Sequence, residues 1–216
     1  NDPQLGADFA ALADVYVDDA FGSAHRPDAS VDGAAYAMRA KGGPVVAGFL
    51  MGAEIGALGI AVGNPPRPYV AIMGGAKISD KIKLIENLLD KADKILIGGG
   101  MAFTFLKAQG KEIGKSLLDE SNLEFCQKVL AETPRKIFLP SDVVICASLS
   151  EDAATKAVTV DNIPADQLGA DIGPRTMVEF SRIIEEAGTV VWNGPMGVFE
   201  MKPFERGTRT VAEAMA

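Results

Sequence analysis

The sequence predicts an α/β fold: a three-layer, Rossmann-like, mostly parallel sheet with helices on both faces, plus a partial second lobe. Short apolar runs alternate with helical spacing along most of the chain, as in βαβ units. Two of these runs lead directly into glycine clusters, at 74–75 and 98–100. Hydrophobic residues make up 48% of the chain and aromatic residues only 6%, which favours an aliphatic core of buried parallel strands.

The first 68 residues give mixed signals. We predict a helix over 7–14, a strand over 15–17 and a polar loop over 18–30. Residues 51–63 hint at a helix, but their four glycines each oppose it by roughly 1 kcal/mol relative to alanine. The proline-rich segment 64–68 must be extended or turning, so we predict a domain boundary here.

From residue 69 onward, strands and helices alternate. The predicted strands lie at 69–73, 94–97, 136–139, 142–146, 155–160 and 188–192. The predicted helices lie at 77–91, 101–109, 121–132, 175–187 and 204–216. The last helix has no strand after it, and the first residue is not methionine, so we expect the sequence to be part of a longer chain.

Charge and composition exclude several classes of protein. The net charge of −8 argues against broad binding to nucleic acid or anionic membranes, which requires a basic face. No apolar run is long enough to span a membrane, and the polar start has no features of a signal peptide. We therefore expect a cytoplasmic protein whose two cysteines are buried and reduced.

The turn after the strand at 69–73 is the strongest candidate site. Gly74 and Gly75 allow a close approach of the backbone to a ligand, and a helix N-terminus attracts anions. Lys77 and Lys81 are four residues apart, which predicts one shared helix face. Because lysine opposes the helix dipole there, the pattern favours a bound phosphate over an ordinary turn with surface lysines. Neither the Walker A nor the G-x-G-x-x-G pattern is present.

Two further strand ends could contribute to the same site, because ligands of open α/β sheets bind there. The turn 98–100 is either part of a nucleotide site or a tight corner. After the strand at 188–192, Asn193 could hydrogen-bond a phosphate or base and Glu200 a ribose hydroxyl. The alternative for these two residues is a simple turn and a solvated carboxylate.

One loop near the start of the chain contains the single histidine. Arg26 could clamp a carboxylate or phosphate through two hydrogen bonds. His25 could titrate, although packing of the loop or a plain surface imidazole explains it better. No group of residues has the spacing of metal ligands, and no Ser-His-Asp set is evident.

Together these motifs resemble the phosphoglycerate kinase family. Six stretches match in the family's order: 16–26 (YVDDAFGSAHR), 74–81 (GGAKISDK), 98–105 (GGGMAFTF), 139–144 (LPSDVV), 171–174 (DIGP) and 192–200 (WNGPMGVFE). The resemblance implies a two-lobed glycolytic kinase, a monomer when full length. It transfers a phosphoryl group between 1,3-bisphosphoglycerate and ADP, giving 3-phosphoglycerate and ATP, with Mg²⁺.

The resemblance also implies roles for individual residues. Lys77 and Arg26 would be catalytic, and Arg26 and His25 would belong to the phosphoglycerate site. The nucleotide would be held by Gly75, Lys81, Gly98, Gly99, Leu117, Gly169, Asn193, Pro195 and Glu200. Residues 1–50 would be a remnant of the substrate lobe, 51–66 an interdomain linker, and 67–216 the nucleotide-binding domain.

The sequence also departs from the family pattern. Most phosphoglycerate ligands and the Gly-Gly-Gly-Asp turn that supplies the Mg²⁺ carboxylate are missing, so we expect no metal ligand in this chain and little activity from it alone. Asp18 replaces the usual asparagine, and 51–63 matches poorly. A non-catalytic nucleotide-binding α/β module remains an alternative, and a nicotinamide-dependent dehydrogenase is a weaker one because the glycine fingerprint is absent.

Overall fold

The computed structural model describes residues 2–216, apart from the side chain of Val62. The chain divides into two compact units, Asn1–Asn64 and Pro65–Ala216. In the described part of the chain, no helix is long and apolar enough to cross a membrane.

The first unit contains a small parallel pair of strands. Its elements are α1 (Pro3–Ala11), β1 (Tyr16–Asp18), α2 (Ala34–Ala40), β2 (Val45–Ala47) and α3 (Phe49–Val62). β1 and β2 pair in parallel. The Asp19 carboxylate accepts the Met51 N–H at 2.8 Å, which caps the first turn of α3. The helix forms despite its glycines, and this contact satisfies one of the backbone donors left free at its start.

The second unit contains the predicted α/β layers. Its strands are β3 (Tyr69–Met73), β4 (Lys94–Ile97), β5 (Ile137–Phe138), β6 (Asp142–Cys146), β7 (Lys156–Thr159), β8 (Leu168–Ile172) and β9 (Thr189–Asn193). Its helices are α4 (Ile82–Lys91), α5 (Met101–Ala108), α6 (Leu123–Glu132), α7 (Pro174–Glu185) and α8 (Arg206–Met215). A parallel sheet has the order β5-β4-β3-β9, and a second, antiparallel sheet has the order β7-β6-β8.

Alternate residues of β3 face opposite sides of the parallel sheet, as the pleat requires. Tyr69, Ala71 and Met73 pack with α4, α5 and α6, whereas Val70 and Ile72 pack with α7 and α8. All five residues of β3 are buried. The helices therefore cover both faces, which confirms the three-layer fold class.

Two local predictions differ from the structure. The helix predicted over 77–91 starts later, because residues 79–81 form a turn and α4 begins only at Ile82. The sequence pattern does not predict β8, because Gly169 and Asp171 interrupt its apolar residues and both residue types are rare in strands. β8 nevertheless forms by antiparallel pairing with β6, with an irregularity between Val144 and Ile145.

Candidate functional site

Three turns at the carboxyl ends of neighbouring strands form the rim of the site. The chain leaves β3, β4 and β9 through Gly75, Gly99 and Gly194, whose φ angles are +100°, +64° and +90°. Residues with a Cβ rarely adopt these angles. Glycine is therefore required at each of the three turns.

The three turns are hydrogen-bonded to one another. Gly75 N–H donates to the Pro195 carbonyl and Gly99 N–H to the Met196 carbonyl, both at 2.9 Å, while Met101 N–H donates to the Gly75 carbonyl at 3.0 Å. The backbones are so close that a Cβ on Gly99 would lie 2.6 Å from the Gly75 nitrogen. The rim is thus fixed by main-chain contacts.

Lys81 points its ammonium group at these strand ends. Its Nζ donates to the Gly74 carbonyl at 2.6 Å, the Asn193 carbonyl at 3.1 Å and Asn193 Oδ1 at 2.6 Å. Burial lowers its pKa, and the nearby Asp80 carboxylate opposes that effect. Lys81 precedes α4, so the prediction that Lys77 and Lys81 share a helix face is wrong. The Gly75 turn and the hydrogen bond from Ser79 N–H to Asp119 hold this segment outside the helix.

Lys77 is exposed. It lines a shallow depression of about 490 Å³ together with Ser79 and Asp119. This depression shares Ala76 and Leu117 with the main cleft. The two lysines therefore have different surroundings: Lys81 is hydrogen-bonded at the strand ends, and Lys77 is open to solvent.

The main cleft has a volume of about 370 Å³, within the usual size range of small-molecule sites. It lies between the glycine turns and the antiparallel sheet, with the Phe103 ring against Gly169. A Cβ on Gly169 would lie 2.0 Å from this ring. The Phe103 ring therefore forms an apolar wall of the cleft beside Gly169, while the Lys81 ammonium places a positive charge at the rim.

The residues predicted to bind nucleotide lie in or beside this cleft. Those that line it are Gly75, Gly99, Leu117, Gly169, Pro195 and Glu200. Lys81 and Asn193 hold each other at its rim. Gly98 is buried next to Met196, and its N–H donates to the Met73 carbonyl at 2.8 Å.

His25 and Arg26 belong to the first unit, where both are exposed. Arg26 Nε lies 3.1 Å from Asp28 Oδ2. Because both side chains are well solvated, this ion pair contributes little to stability.

The cleft is also lined by residues that the sequence did not predict, among them Phe103, Lys115 and Asp171. Phe103 reads as an ordinary core position of α5, and Lys115 lies in a loop without a recognisable pattern. For Asp171, the sequence signal is a carboxylate that stands among apolar residues.

Asp171 is a buried carboxylate, only 4% exposed. Its Oδ1 accepts the Ile172 N–H at 2.9 Å and its Oδ2 accepts the Gly207 N–H at 2.7 Å. Burial raises its pKa to about 7, although these two hydrogen bonds and the charge of Arg206 favour the ionised form. The described residues contain no group of three or more His, Cys, Asp or Glu side chains placed to hold a metal ion.

The fold and the site define an open α/β protein with a ligand-sized cleft at the carboxyl ends of its parallel strands. A sequence profile described as phosphoglycerate kinase matches residues 1–216. The chain therefore belongs to the phosphoglycerate kinase family.

Individual relatives agree with this assignment. The chain is 55% identical over 216 residues to a phosphoglycerate kinase of Lactobacillus delbrueckii subsp. lactis and 53% identical to one of Lactobacillus gasseri, covering all of this chain and 53% of each relative. The solved phosphoglycerate kinase of Coxiella burnetii superimposes with a TM-score of 0.83 at 44% identity, covering 99% of this chain and 55% of that one. That of Pyrococcus horikoshii OT3 gives 0.82 at 28% identity, with coverages of 100% and 56%. The chain spans about half the length of these relatives.

Proposed function

We propose that the protein acts in glycolysis as a phosphoglycerate kinase, transferring a phosphoryl group between 1,3-bisphosphoglycerate and ADP to give 3-phosphoglycerate and ATP. The observation that carries the proposal is the cleft of about 370 Å³ beside Lys81 and three interlocked glycine turns, in a chain of this family. The location is proposed to be cytoplasmic and the full-length protein monomeric, with no nucleic-acid or membrane partner.

The nucleotide is proposed to lie along the cleft with its phosphates at the rim. The positive charge of Lys81 would attract the phosphates, and the turns at Gly75 and Gly99 would let them approach the main chain closely. The adenine would lie between Leu117 and Gly169, against the Phe103 ring, where aromatic and aliphatic contacts favour a flat base.

Other members of the site would complete the binding of the nucleotide. The Glu200 carboxylate would accept the ribose hydroxyls, and Asn193 and Pro195 would border the phosphates. Gly98 allows the close packing behind the rim, because a Cβ on it would lie 2.5 Å from Met196 Sδ.

Phosphoryl transfer depends mainly on in-line positioning and on positive charge around the transferred group. Lys77 is proposed to contact that group, because its ammonium is exposed and makes no hydrogen bond or ion pair within the described residues. Arg26, with His25, is proposed to bind phosphoglycerate. Arg26 suits this role, since a guanidinium can hold a carboxylate or phosphate through two parallel hydrogen bonds.

Mg²⁺ is proposed to reach the reaction together with the nucleotide. The described residues offer no preformed cluster of metal ligands, and Mg²⁺ commonly binds through substrate phosphates with only one or two carboxylates. No step of the proposal therefore depends on a metal ligand from the described part of this chain.

Calorimetric titration of the chain with ADP, with and without Mg²⁺, tests the nucleotide site. We expect a Kd on the order of micromolar and its loss in Lys81→Ala. Lys128→Ala is the matched control, because this exposed lysine of α6 lies outside the cleft. Tighter binding of NADH than of ADP would reject the proposal in favour of a dehydrogenase.

A coupled assay of the full-length protein with 3-phosphoglycerate and ATP tests the reaction. The alternative of a non-catalytic nucleotide-binding module predicts ADP binding without turnover. If the protein shows turnover and Lys77→Ala abolishes it, this alternative is excluded.

A further inference from the structure

A buried carboxylate links the wall of the cleft to the start of a helix. Asp171 lines the cleft from β8, and its Oδ2 accepts the N–H of Gly207, in the first turn of α8. One side chain thus joins a strand of the cleft to a helix N-terminus.

The same carboxylate also lies against the turn that follows β9. A Cβ on Gly197 would lie 2.4 Å from Asp171 Oδ1, and one on Gly207 would lie 2.1 Å from the same atom. Next to Gly197, the Val198 N–H donates to the Ala170 carbonyl at 2.9 Å. Glycine at 197 and 207 therefore lets both backbones close around Asp171.

This turn carries groups that the proposed function assigns to the nucleotide. Residues 195–198 and Glu200 all line the cleft, and the Met196 carbonyl accepts the Gly99 N–H of the rim. A displacement of the turn would consequently change the cleft and the rim together.

We propose that Asp171 is a positioning residue for the nucleotide: its carboxylate holds the 195–200 turn and the start of α8 in the geometry that the cleft requires. This inference rests on the proposed function, because it assigns Asp171 a part in forming that same site. Asp171 acts through the turn rather than through direct contact with the reacting atoms.

Asp142 supplies a matched control on the neighbouring strand β6. It is also buried, at 8% exposure, and its carboxylate accepts the N–H groups of Arg175 and Thr176 at the start of α7. Asp142 does not line the cleft. Asp142→Asn and Asp171→Asn therefore each weaken a contact between a buried carboxylate and the start of a helix, but only Asp171→Asn alters the wall of the cleft.

Trp192 lies near the end of β9 and provides a fluorescence signal for the turn that follows. It is the single tryptophan of the chain, and its Nε1–H donates to the Gly194 carbonyl at 2.7 Å. Its fluorescence spectrum should therefore change when the turn moves. The spectrum should stay the same when a substitution far from the turn lowers the stability of the protein.

The experiment compares ADP affinity and Trp192 emission in the whole chain and its variants, at a temperature where each remains folded. We expect Asp171→Asn to raise the Kd for ADP about tenfold and to shift the emission. Asp142→Asn should change the Kd less than about twofold and leave the spectrum intact.

Gly197→Ala offers a second variant that keeps the carboxylate and disturbs the turn directly. It should reproduce both effects of Asp171→Asn. The inference is overturned if Asp171→Asn binds ADP like the unmodified chain, if Asp142→Asn loses as much affinity, or if Gly197→Ala binds normally. Failure of the unmodified chain to bind ADP would instead reject the proposed function itself, and the inference with it.

Discussion

At the scale of single residues, Lys81 shows why the identity of a site residue is easier to predict than its geometry. The sequence indicates a lysine after a glycine turn, which is enough to suggest an anion. The direction of its side chain depends on Asn193, 112 residues further along the chain. No local pattern contains that contact, so the sequence could not predict the three oxygens that hold the ammonium.

The two lysines should separate in a binding experiment. Lys81→Ala is expected to raise the Kd for ADP at least about tenfold, because it removes a charged donor held at the rim. Lys77→Ala is expected to change it less than about threefold, since Lys77 is exposed and makes no hydrogen bond at the rim. Isothermal titration of both variants gives the two constants. Equal losses would contradict the separation of their roles.

Asp171 should make the stability of the protein depend on pH. Its pKa rises from 3.8 in an unfolded chain to about 7 when folded, so the folded state retains a proton that the unfolded state releases. The resulting stabilisation is complete below the unfolded value and is lost as the pH rises through about 7. Urea unfolding from pH 5 to pH 8 should show this decline, and Asp171→Asn should flatten it. An unchanged slope in the variant would refute the assignment.

At the scale of secondary-structure elements, the parallel strands could be predicted and their connections could not. β3 and β4 have the continuous apolar runs that buried parallel strands require. β8 lacks such a run, because the site places a glycine against Phe103 and a carboxylate under α8. Its formation depends on pairing with β6, which sequence periodicity does not encode.

The glycine turns allow a paired test of crowding. Gly99 and Gly110 both have positive φ angles, of +64° and +83°, but only Gly99 has backbone atoms within 3 Å of an added Cβ, while Gly110 has no atom within 4 Å. Gly110→Ala is expected to cost about 1 kcal/mol through backbone strain alone. Gly99→Ala should cost about 3 kcal/mol or more, because strain and overlap add. Denaturant unfolding of the two variants measures the difference, and equal costs would show that the contact at Gly99 is unimportant.

At the scale of the whole molecule, the second unit contains a complete hydrophobic core. Its clusters cover both faces of the parallel sheet and continue around the antiparallel sheet. The whole lining of the cleft also lies within Pro65–Ala216. The alternation of strands and helices is sufficient to predict the parallel sheet and the helices that cover it, whereas β8 of the antiparallel sheet depends on its pairing with β6.

The first unit is less predictable for a related reason. Several of its large apolar side chains are exposed, among them Phe49 at 98% and Leu12 at 83%. Hydrophobic periodicity identifies an element only where one of its faces is buried. α2 and β2 are accordingly absent from the sequence prediction, and α3 shows only weak helical spacing.

A polypeptide of residues 65–216 should fold and bind ADP without the first unit. We expect cooperative thermal unfolding, and a Kd for ADP within about threefold of that of the whole chain, because the core and the cleft both lie in this unit. Circular dichroism and calorimetry measure the two properties. Loss of ADP binding in a folded polypeptide would indicate that residues 2–64 contribute to the site.

The mutual hydrogen bonds of the three glycine turns have a thermodynamic consequence. The main-chain hydrogen bonds already fix the rim before a ligand binds. Binding therefore orders few additional parts of the protein, and the entropic cost of binding is small. The amides of Gly75 and Gly99 should therefore resist hydrogen exchange even before a ligand arrives, and saturating ADP should slow their exchange only slightly.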